Sequence, residues 1–299
     1  MTASSDPRWP AARSLLGAPA TGRRLVGLTG ISTYHTSVTP RSWHATPTAV
    51  REALERFSTW SYTDQVDIAD LVAVDDRGDV FDPDAEGGTE RAAALLGRAP
   101  DVECHLVLGG DNAATWHALT ALAGGGLDQW GLVTLDAHLD LRDGVSNGSP
   151  VRQLLEAGLD GHHVVQMGLA DFSNSPAYAA RAAEAGITTW SRDEVRARGV
   201  VAAMEAALAH AGADGRAVYI DVDLDVADRA VVPGCPAAAP GGLSADELRQ
   251  MVRSGARDRR VRAIDFTEVD VGRDSADERT VRLVALLVLE ALAGVGGRS

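Results

Sequence analysis

Short apolar runs rich in valine, isoleucine and leucine alternate along the chain with longer stretches in which apolar residues recur at helical spacing. The short runs predict strands at residues 24–28, 66–74, 105–108, 131–135, 163–167, 217–222 and 260–264. The longer stretches predict helices at residues 47–57, 89–96, 113–122, 150–157, 175–185, 192–210, 244–254 and 275–293. This alternation predicts an α/β fold in which a parallel sheet is covered by helices on both faces.

The alternation continues without an evident linker, internal repeat or low-complexity segment. We therefore predict one domain over residues 21–299, preceded by a loosely held arm at residues 1–20. The acidic stretch 75–88, which contains several glycines, is predicted to form a surface loop.

The chain is acidic, with a formal net charge of -14 and a pI near 4.9. Such a charge disfavours nucleic acid and anionic membranes as partners. Two cysteines are too few for a disulfide framework, and the sequence has neither a signal-peptide pattern nor a long apolar run. These features predict a soluble, cytoplasmic protein.

Polar residues cluster where four of the predicted strands end. The clusters read GGDN at 109–112, DAHLD at 136–140, DVDLD at 221–225 and DFTEVD at 265–270. In parallel α/β sheets the functional residues lie just beyond the carboxyl ends of the strands. The four clusters therefore predict a single functional site at one edge of the sheet.

Alternate positions in an extended segment point the same way, so Asp136, His138 and Asp140 are predicted to converge. Carboxylates crowded in a cleft repel one another, and divalent cations relieve that repulsion. Many carboxylate oxygens with one imidazole suit a hard or borderline ion such as Mn²⁺. A lone Asp-x-Asp is more often a helix cap or a solvated turn, but two such clusters at matching strand ends favour metal binding.

The ordered motifs resemble the signature of the ureohydrolases, the arginase/agmatinase superfamily. They are GGD at 109–111, DAHLD at 136–140, DLDVAD at 223–228, PGGL at 240–243 and TEVD at 267–270. The resemblance runs from about residue 27 to the C-terminus. It implies an arginase-like three-layer α/β/α domain with a mainly parallel sheet of about eight strands. It also implies assembly into a homo-oligomer, a trimer or a hexamer.

The resemblance further implies two Mn²⁺ ions per chain. The implied ligands are Asn112, Asp136, His138, Asp140, Asp223 and Asp225, with Asp136 and Asp223 bridging the two ions. Asn112 stands where the family usually has histidine, and an amide oxygen is the weaker donor for a transition ion. The ion beside Asn112 is therefore expected to bind weakly or to be absent. Counting back from the PGG motif makes Asp223 and Asp225 the ligand pair and places Asp221 behind the ligands.

The loops after the metal motif favour one branch of the family. Arg142 after Asp140, Asn147 in NGSP and Asn174 in FSNS are similar to the pattern of formimidoylglutamases. Those enzymes release formamide from N-formimidoyl-L-glutamate in histidine catabolism. The resemblance implies that Arg142, Asn147 and Asn174 bind the substrate, that Asp140 moves a proton and that Glu268 orients the amidine. For Arg142, a surface ion pair with Asp143 or another acidic residue is an equally good interpretation.

Two other functions compete with this interpretation. One is an agmatinase-like or other guanidino-compound hydrolase that releases urea. The other is a non-catalytic relative whose metal site has decayed at Asn112. Retention of every carboxylate argues against decay, because buried charges without a cation are costly.

Overall fold

The computed structural model describes residue 6 and residues 8–39, 45–98 and 101–298. The strands are β1 (Arg24–Ile31), β2 (Trp60–Ser61), β3 (Val66–Asp67), β4 (Val72–Asp79), β5 (Cys104–Gly109), β6 (Trp130–Leu135), β7 (Val164–Leu169), β8 (Thr188–Ser191), β9 (Ala217–Asp223) and β10 (Val261–Thr267). Eight of them form one parallel sheet in the order β4-β1-β5-β10-β9-β6-β7-β8.

Helices connect these strands on both faces of the sheet. They are α1 (Thr46–Ala53), α2 (Gly88–Leu96), α3 (Ala113–Ala123), α4 (Pro150–Glu156), α5 (Pro176–Glu184), α6 (Arg192–Arg198), α7 (Val200–Ala211), α8 (Ala245–Arg257) and α9 (Arg279–Gly296). Successive residues of a strand face opposite sides of the sheet, and a separate hydrophobic core covers each side. In β9, Ile220 lies in the core that contains α1 and α6–α9, whereas Tyr219 lies in the core that contains α2–α5. The predicted three-layer α/β/α architecture with an eight-stranded parallel sheet is confirmed.

Three local predictions were wrong. The predicted strand at 66–74 is split by a 3₁₀ turn, Ile68–Asp70, because the Asp67 side chain accepts a hydrogen bond from the Ala69 N–H (2.9 Å) and caps that turn. β3 then pairs only with β2, and β4 extends through residues expected to be loop. The predicted helix at 192–210 is divided at Gly199, whose φ of 81° breaks the helical path.

The edge strand β8 and the N-terminal segment also differ from what the sequence predicted. The edge strand β8 was missed because its four residues lack an apolar alternation and remain partly exposed. Within the predicted N-terminal arm, Ala12 and Leu15 are buried in the main core. Among the described residues, no helix is long and apolar enough to cross a membrane.

The sheet topology brings the polar clusters together. β5, β10, β9 and β6 are consecutive neighbours, and Asp221 lies in register with Asp265 on one side and with Thr134 on the other. Because these strands are parallel, their carboxyl ends share one edge of the sheet. The clusters that follow them therefore meet there.

Candidate metal centre

Three predicted ligands form one tight cluster. Asp136 directly follows β6, and Asp225 lies in a 3₁₀ turn (Leu224–Val226) that begins at the end of β9. The His138 Nδ1 lies 2.7 Å from the Asp225 Oδ2 and 3.5 Å from the Asp136 Oδ1. One potential ligand atom from each of these residues lies within 4.8 Å of the others. That spacing suits coordination of a single ion after small side-chain adjustments.

Backbone hydrogen bonds fix the carboxylates of this cluster. The Asp223 Oδ1 accepts the Asp225 N–H (2.8 Å), which caps the turn after β9. The Asp225 Oδ1 accepts the Ala137 N–H (3.0 Å), and the Asp136 Oδ1 accepts the His138 N–H (2.6 Å). The loops after β6 and β9 therefore hold each other in place at this edge of the sheet.

Asp140 completes the acidic cluster and is held by Asn112. Asp140 is buried with a φ of 52°, a conformation uncommon for a residue other than glycine. The Asn112 Nδ2 donates to the Asp140 Oδ2 (2.6 Å), while the Asn112 Oδ1 accepts from the Thr267 hydroxyl (2.7 Å) and lies 3.1 Å from the Thr115 hydroxyl oxygen. The amide oxygen thus faces the two hydroxyls, and its NH₂ group faces Asp140. In this orientation Asn112 holds Asp140 through its NH₂ group, and its role as a metal ligand stays a prediction.

The carboxylates oppose one another strongly. Burial and the Asp225 charge raise the pKa of Asp136 to about 7. Burial and the Asp136 charge raise the pKa of Asp140, and burial and Asp225 raise that of Asp223. Although burial disfavours the imidazolium, Asp136 and Asp225 raise the pKa of His138 to about 11. This is the electrostatic pattern that a divalent cation relieves.

The oxygen and nitrogen atoms of this cluster are also suitable ligands for divalent cations. The Asp136 Oδ2 is buried and accepts no hydrogen bond from the described residues. Asp140, Asp223, Asp225 and His138 all line a cleft of about 420 Å³ that opens over the cluster. Asp221 lies on β9 two residues before Asp223, is fully buried and does not line that cleft. The side chains present therefore suit hard or borderline divalent ions bound mainly through oxygen.

Glu268 projects into the same cleft from the end of β10. It is 4% exposed, with a φ of 60°. Its Oε1 accepts from the Asn112 N–H (3.1 Å) and from the Asn147 Nδ2 (2.8 Å). Burial and repulsion from Asp111 raise the pKa of Glu268 to about 8. The Asn147 Oδ1 in turn accepts the Val38 N–H (2.9 Å), so the amide of Asn147 holds Glu268, and its contact with a substrate stays a prediction.

Asn174 likewise binds the protein. Its Oδ1 accepts the Leu139 N–H (2.9 Å), and its Nδ2 donates to the Ala137 carbonyl (3.0 Å). Gln166, which the sequence did not single out, donates to the Leu139 carbonyl (2.9 Å). Asn174 lines the cleft as predicted, but its polar atoms clamp the loop that carries His138 and Asp140.

This clamp predicts a loss of metal affinity in Asn174→Ala. Residues that orient metal ligands typically contribute about 10- to 100-fold in affinity. We expect the Mn²⁺ dissociation constant measured by calorimetry to rise by a factor in that range. Ser173→Ala, a neighbouring change in the same cleft lining, should leave it unaltered. An unchanged affinity in Asn174→Ala would show that the loop holds its shape without the clamp.

Asp265 is a second buried residue that sequence reasoning missed. Its carboxylate accepts from the Tyr219 hydroxyl (2.7 Å) and the Thr115 hydroxyl (2.8 Å). Thr115 also contacts Asn112, so Asp265 supports the Asn112–Asp140 pair from below. The only signal for it in the sequence was its place at the start of the DFTEVD run.

Arg142 lies on the wall of the cleft and is exposed. Its guanidinium makes no ion pair or hydrogen bond with any described residue. Asp143 pairs with Arg181 instead (2.8 Å), so the alternative Arg142–Asp143 ion pair does not form. The backbone N–H of Arg142 donates to the Gly148 carbonyl (3.0 Å), which fixes the loop at this point. The cleft above the acidic cluster therefore carries a guanidinium, that of Arg142, which has no charged partner among the described residues.

Sequence and structure comparisons give concordant matches. Residues 25–294 match the profile of the Arginase family. The formimidoylglutamase of Halalkalibacterium halodurans is 34% identical over 288 residues, covering 92% of this chain and 89% of the relative. That of Halobacterium salinarum is 33% identical over 259 residues, covering 83% and 80%.

Solved structures show the same similarity. The crystal structure of formimidoylglutamase from Bacillus subtilis superposes with a TM-score of 0.88 at 30% identity, covering 98% of this chain and 94% of the other. Formiminoglutamase of Trypanosoma cruzi, solved with Mn²⁺, superposes with a TM-score of 0.85 and covers 97% of this chain and all of its own. At 24% identity this second match bears on the fold alone.

Proposed function

The chain belongs to the arginase family, and we propose that it is a binuclear-metal hydrolase of N-formimidoyl-L-glutamate. The reaction adds water across the C–N bond of the amidine and yields L-glutamate and formamide. Curated relatives that match most of the chain are formimidoylglutamases, which supports this substrate over other amidines.

The free guanidinium of Arg142 carries the substrate assignment. N-formimidoyl-L-glutamate has two carboxylates, and a protein of net charge -14 needs a local cation to admit it. Arg142 lies on the cleft wall within the loop that follows Asp140 and has no partner among the described residues. A planar guanidinium binds a carboxylate through two parallel hydrogen bonds.

For the cofactor we propose two Mn²⁺ ions. Asp136, Asp223, His138 and Asp225 would hold one ion, and Asp136, Asp223 and Asp140 would hold the other, with Asn112 beside Asp140. When bound, the ions supply an activated water at neutral pH and offset the repulsion among the carboxylates.

The remaining steps fall to side chains in the cleft. The Glu268 Oε1 is occupied by Asn112 and Asn147, so its Oε2 is left to accept the N–H groups of the amidine and orient its carbon. Asp140 shuttles a proton to the departing nitrogen, in line with its buried carboxyl and raised pKa. Asn147 and Asn174 act by positioning Glu268 and the metal loop.

The two competing functions are less well supported. The far end of agmatine is an ammonium group, which Arg142 would repel, and arginine offers Arg142 one carboxylate beside an ammonium group, whereas N-formimidoyl-L-glutamate offers two carboxylates. A non-catalytic relative would have little reason to keep four buried carboxylates whose charges oppose one another.

Removal of Arg142 tests the substrate assignment. We expect Arg142→Ala to lower kcat/KM for N-formimidoyl-L-glutamate by about 10- to 150-fold, equivalent to about 1.5–3 kcal/mol for a lost charge-assisted hydrogen bond. Arg142→Lys should restore only part of it, because an ammonium lacks the planar fork. Arg98→Ala, at the exposed end of α2, is the matched control. Wild-type kinetics in Arg142→Ala would refute the role of Arg142 in substrate binding.

The substitution Asn112→His tests the prediction that the ion beside residue 112 is the more weakly bound of the two. The amide oxygen of Asn112 accepts from the Thr267 hydroxyl and lies beside that of Thr115, which supports a weaker site beside it. We expect the substitution to raise Mn²⁺ affinity at that site or to leave it unchanged, with the tighter site serving as the internal control. A measured fall in affinity would mean that Asn112 is adapted to its position and that histidine does not replace it.

Cytoplasmic location stays a prediction from the composition of the sequence, and assembly into a trimer or hexamer stays a prediction from the resemblance. Light scattering coupled to gel filtration measures the second directly.

A further inference from the structure

A second group of ligand-type side chains lies apart from the acidic cluster. His35 follows β1, while Asp82 and Asp84 lie in the turn between β4 and α2. One potential ligand atom from each of the three lies within 4.8 Å of the others. The His35 Nε2 is 3.6 Å from the Asp82 Oδ1, and the His35 Nδ1 is 4.0 Å from the Asp84 Oδ1.

Two carboxylate oxygens in this group lack partners. The Asp84 side chain is only 2% exposed, and its Oδ2 accepts the backbone N–H groups of Tyr34 (2.7 Å) and His35 (2.5 Å). Its Oδ1 is buried and receives no hydrogen bond from the described residues, and the same is true of the Asp82 Oδ1. Both unpartnered oxygens face the ring of His35. Buried acceptors without a donor are costly, so a ligand at this point would stabilise the fold.

An imidazolium alone satisfies this geometry poorly. The two contacts to His35 are longer than hydrogen bonds, which run to about 3.2 Å, and they involve different ring nitrogens. Zn²⁺ binds histidine nitrogen and carboxylate oxygen at about 2.0–2.2 Å, which sets ligand atoms roughly 3.3 Å apart in a tetrahedral site. Small side-chain shifts bring His35, Asp82 and Asp84 to that spacing. The partial exposure of His35 leaves room for water at a further position.

We propose that His35, Asp82 and Asp84 form a separate site for a borderline divalent cation such as Zn²⁺. The site does not depend on the proposed reaction. Its place in the fold gives it a structural consequence, because the segment after β1 also builds the cleft. Val38 donates to Asn147, which holds Glu268, and the Ser37 hydroxyl donates to Asp111. A cation at His35 ties this segment to the turn before α2.

The test counts Zn²⁺ in the Mn²⁺-loaded protein. Wild type and variants are exposed to Zn²⁺, dialysed, and analysed for metal by mass spectrometry. Because Zn²⁺ also competes for the acidic cluster, the measured quantity is the difference between wild type and variant. We expect His35→Gln and Asp82→Asn each to hold one Zn²⁺ fewer per chain than wild type. His162→Gln, an exposed histidine outside the group, should match wild type.

Thermal unfolding gives a second readout that activity does not influence. Zn²⁺ added to Mn²⁺-saturated protein should raise the Tm of wild type and of His162→Gln, but not that of His35→Gln or Asp82→Asn. Asp84 is left intact because its carboxylate caps two backbone N–H groups and its removal would disturb the fold. Equal Zn²⁺ content in wild type, His35→Gln and Asp82→Asn would overturn the proposal, as would an equal Zn²⁺-dependent shift in Tm.

Discussion

Asp223→Asn is expected to lower kcat/KM by about 10³-fold or more and, at the same time, to raise the Tm of the metal-free protein. Asp223 ends β9 and is proposed to bridge both ions. Metal catalysis contributes several kcal/mol of transition-state stabilisation, and about 4 kcal/mol corresponds to a thousandfold change in rate. The loss of a bridging carboxylate removes most of that contribution.

The gain in stability follows from the charge of Asp223. Burial and Asp225 raise the pKa of Asp223 well above its usual value. A carboxyl whose pKa is higher in the folded state binds its proton more tightly there, so its contribution to stability is lost as pH rises through that pKa. Asparagine removes this penalty at neutral pH. Its side-chain oxygen still caps the Asp225 N–H, so the turn is retained.

Calorimetry of the chelator-treated protein measures this second effect. The gain in Tm should shrink as pH falls and Asp223 becomes protonated in the wild type. Asp193→Asn, at an exposed position on α6, controls for the loss of one negative charge. A lower Tm for metal-free Asp223→Asn would contradict the repulsion attributed to the acidic cluster.

Glu268→Gln is expected to lower kcat/KM by about 10²- to 10³-fold without changing the metal content. Two charge-assisted hydrogen bonds that the amidine N–H groups donate to the Glu268 carboxylate contribute together about 3–4 kcal/mol. Glutamine keeps the size of the side chain and can still accept from Asn112 and Asn147, but it lacks the charge. Kinetics and metal analysis on the same sample separate substrate orientation from metal binding.

Asn147→Ala is the companion variant for Glu268. It removes one support of the carboxylate and leaves the charge, so a smaller loss is expected than for Glu268→Gln. Loss of metal in Glu268→Gln would move this residue from the substrate to the metal centre and contradict the role given to it here.

The main strands and the convergence of Asp136 and His138 were predictable because both depend on local spacing. The alternation of side chains with a period of two is visible in the sequence. When strands and helices alternate strictly along the chain, the sheet is parallel and the carboxyl ends of its strands lie at one edge. The split of residues 66–74 was not predictable from apolar content alone, since the Asp67 cap decides it. The strand β8 lacks any apolar signal and owes its place to pairing with β7.

The orientation of the side chains within the site could not be predicted from the sequence, because it depends on contacts between residues that are far apart in the chain. The amide of Asn112 is turned by Thr267, which is 155 residues away, and Asn147 is held between Val38 and Glu268. Those contacts exist only after the strands have assembled. Arg142 shows the converse: its competing ion pair with Asp143 was plausible by proximity, but Arg181 from α5 takes that partner.

The most direct test of the account is product analysis with the Mn²⁺-loaded protein on four substrates. N-formimidoyl-L-glutamate, agmatine, arginine and guanidinobutyrate are compared by kcat/KM, with formamide, ammonia and urea assayed separately. We expect formamide and L-glutamate from N-formimidoyl-L-glutamate, at a kcat/KM above that of the other three substrates. Faster release of urea from agmatine, arginine or guanidinobutyrate would contradict it, and so would the absence of any hydrolysis with both Mn²⁺ ions bound.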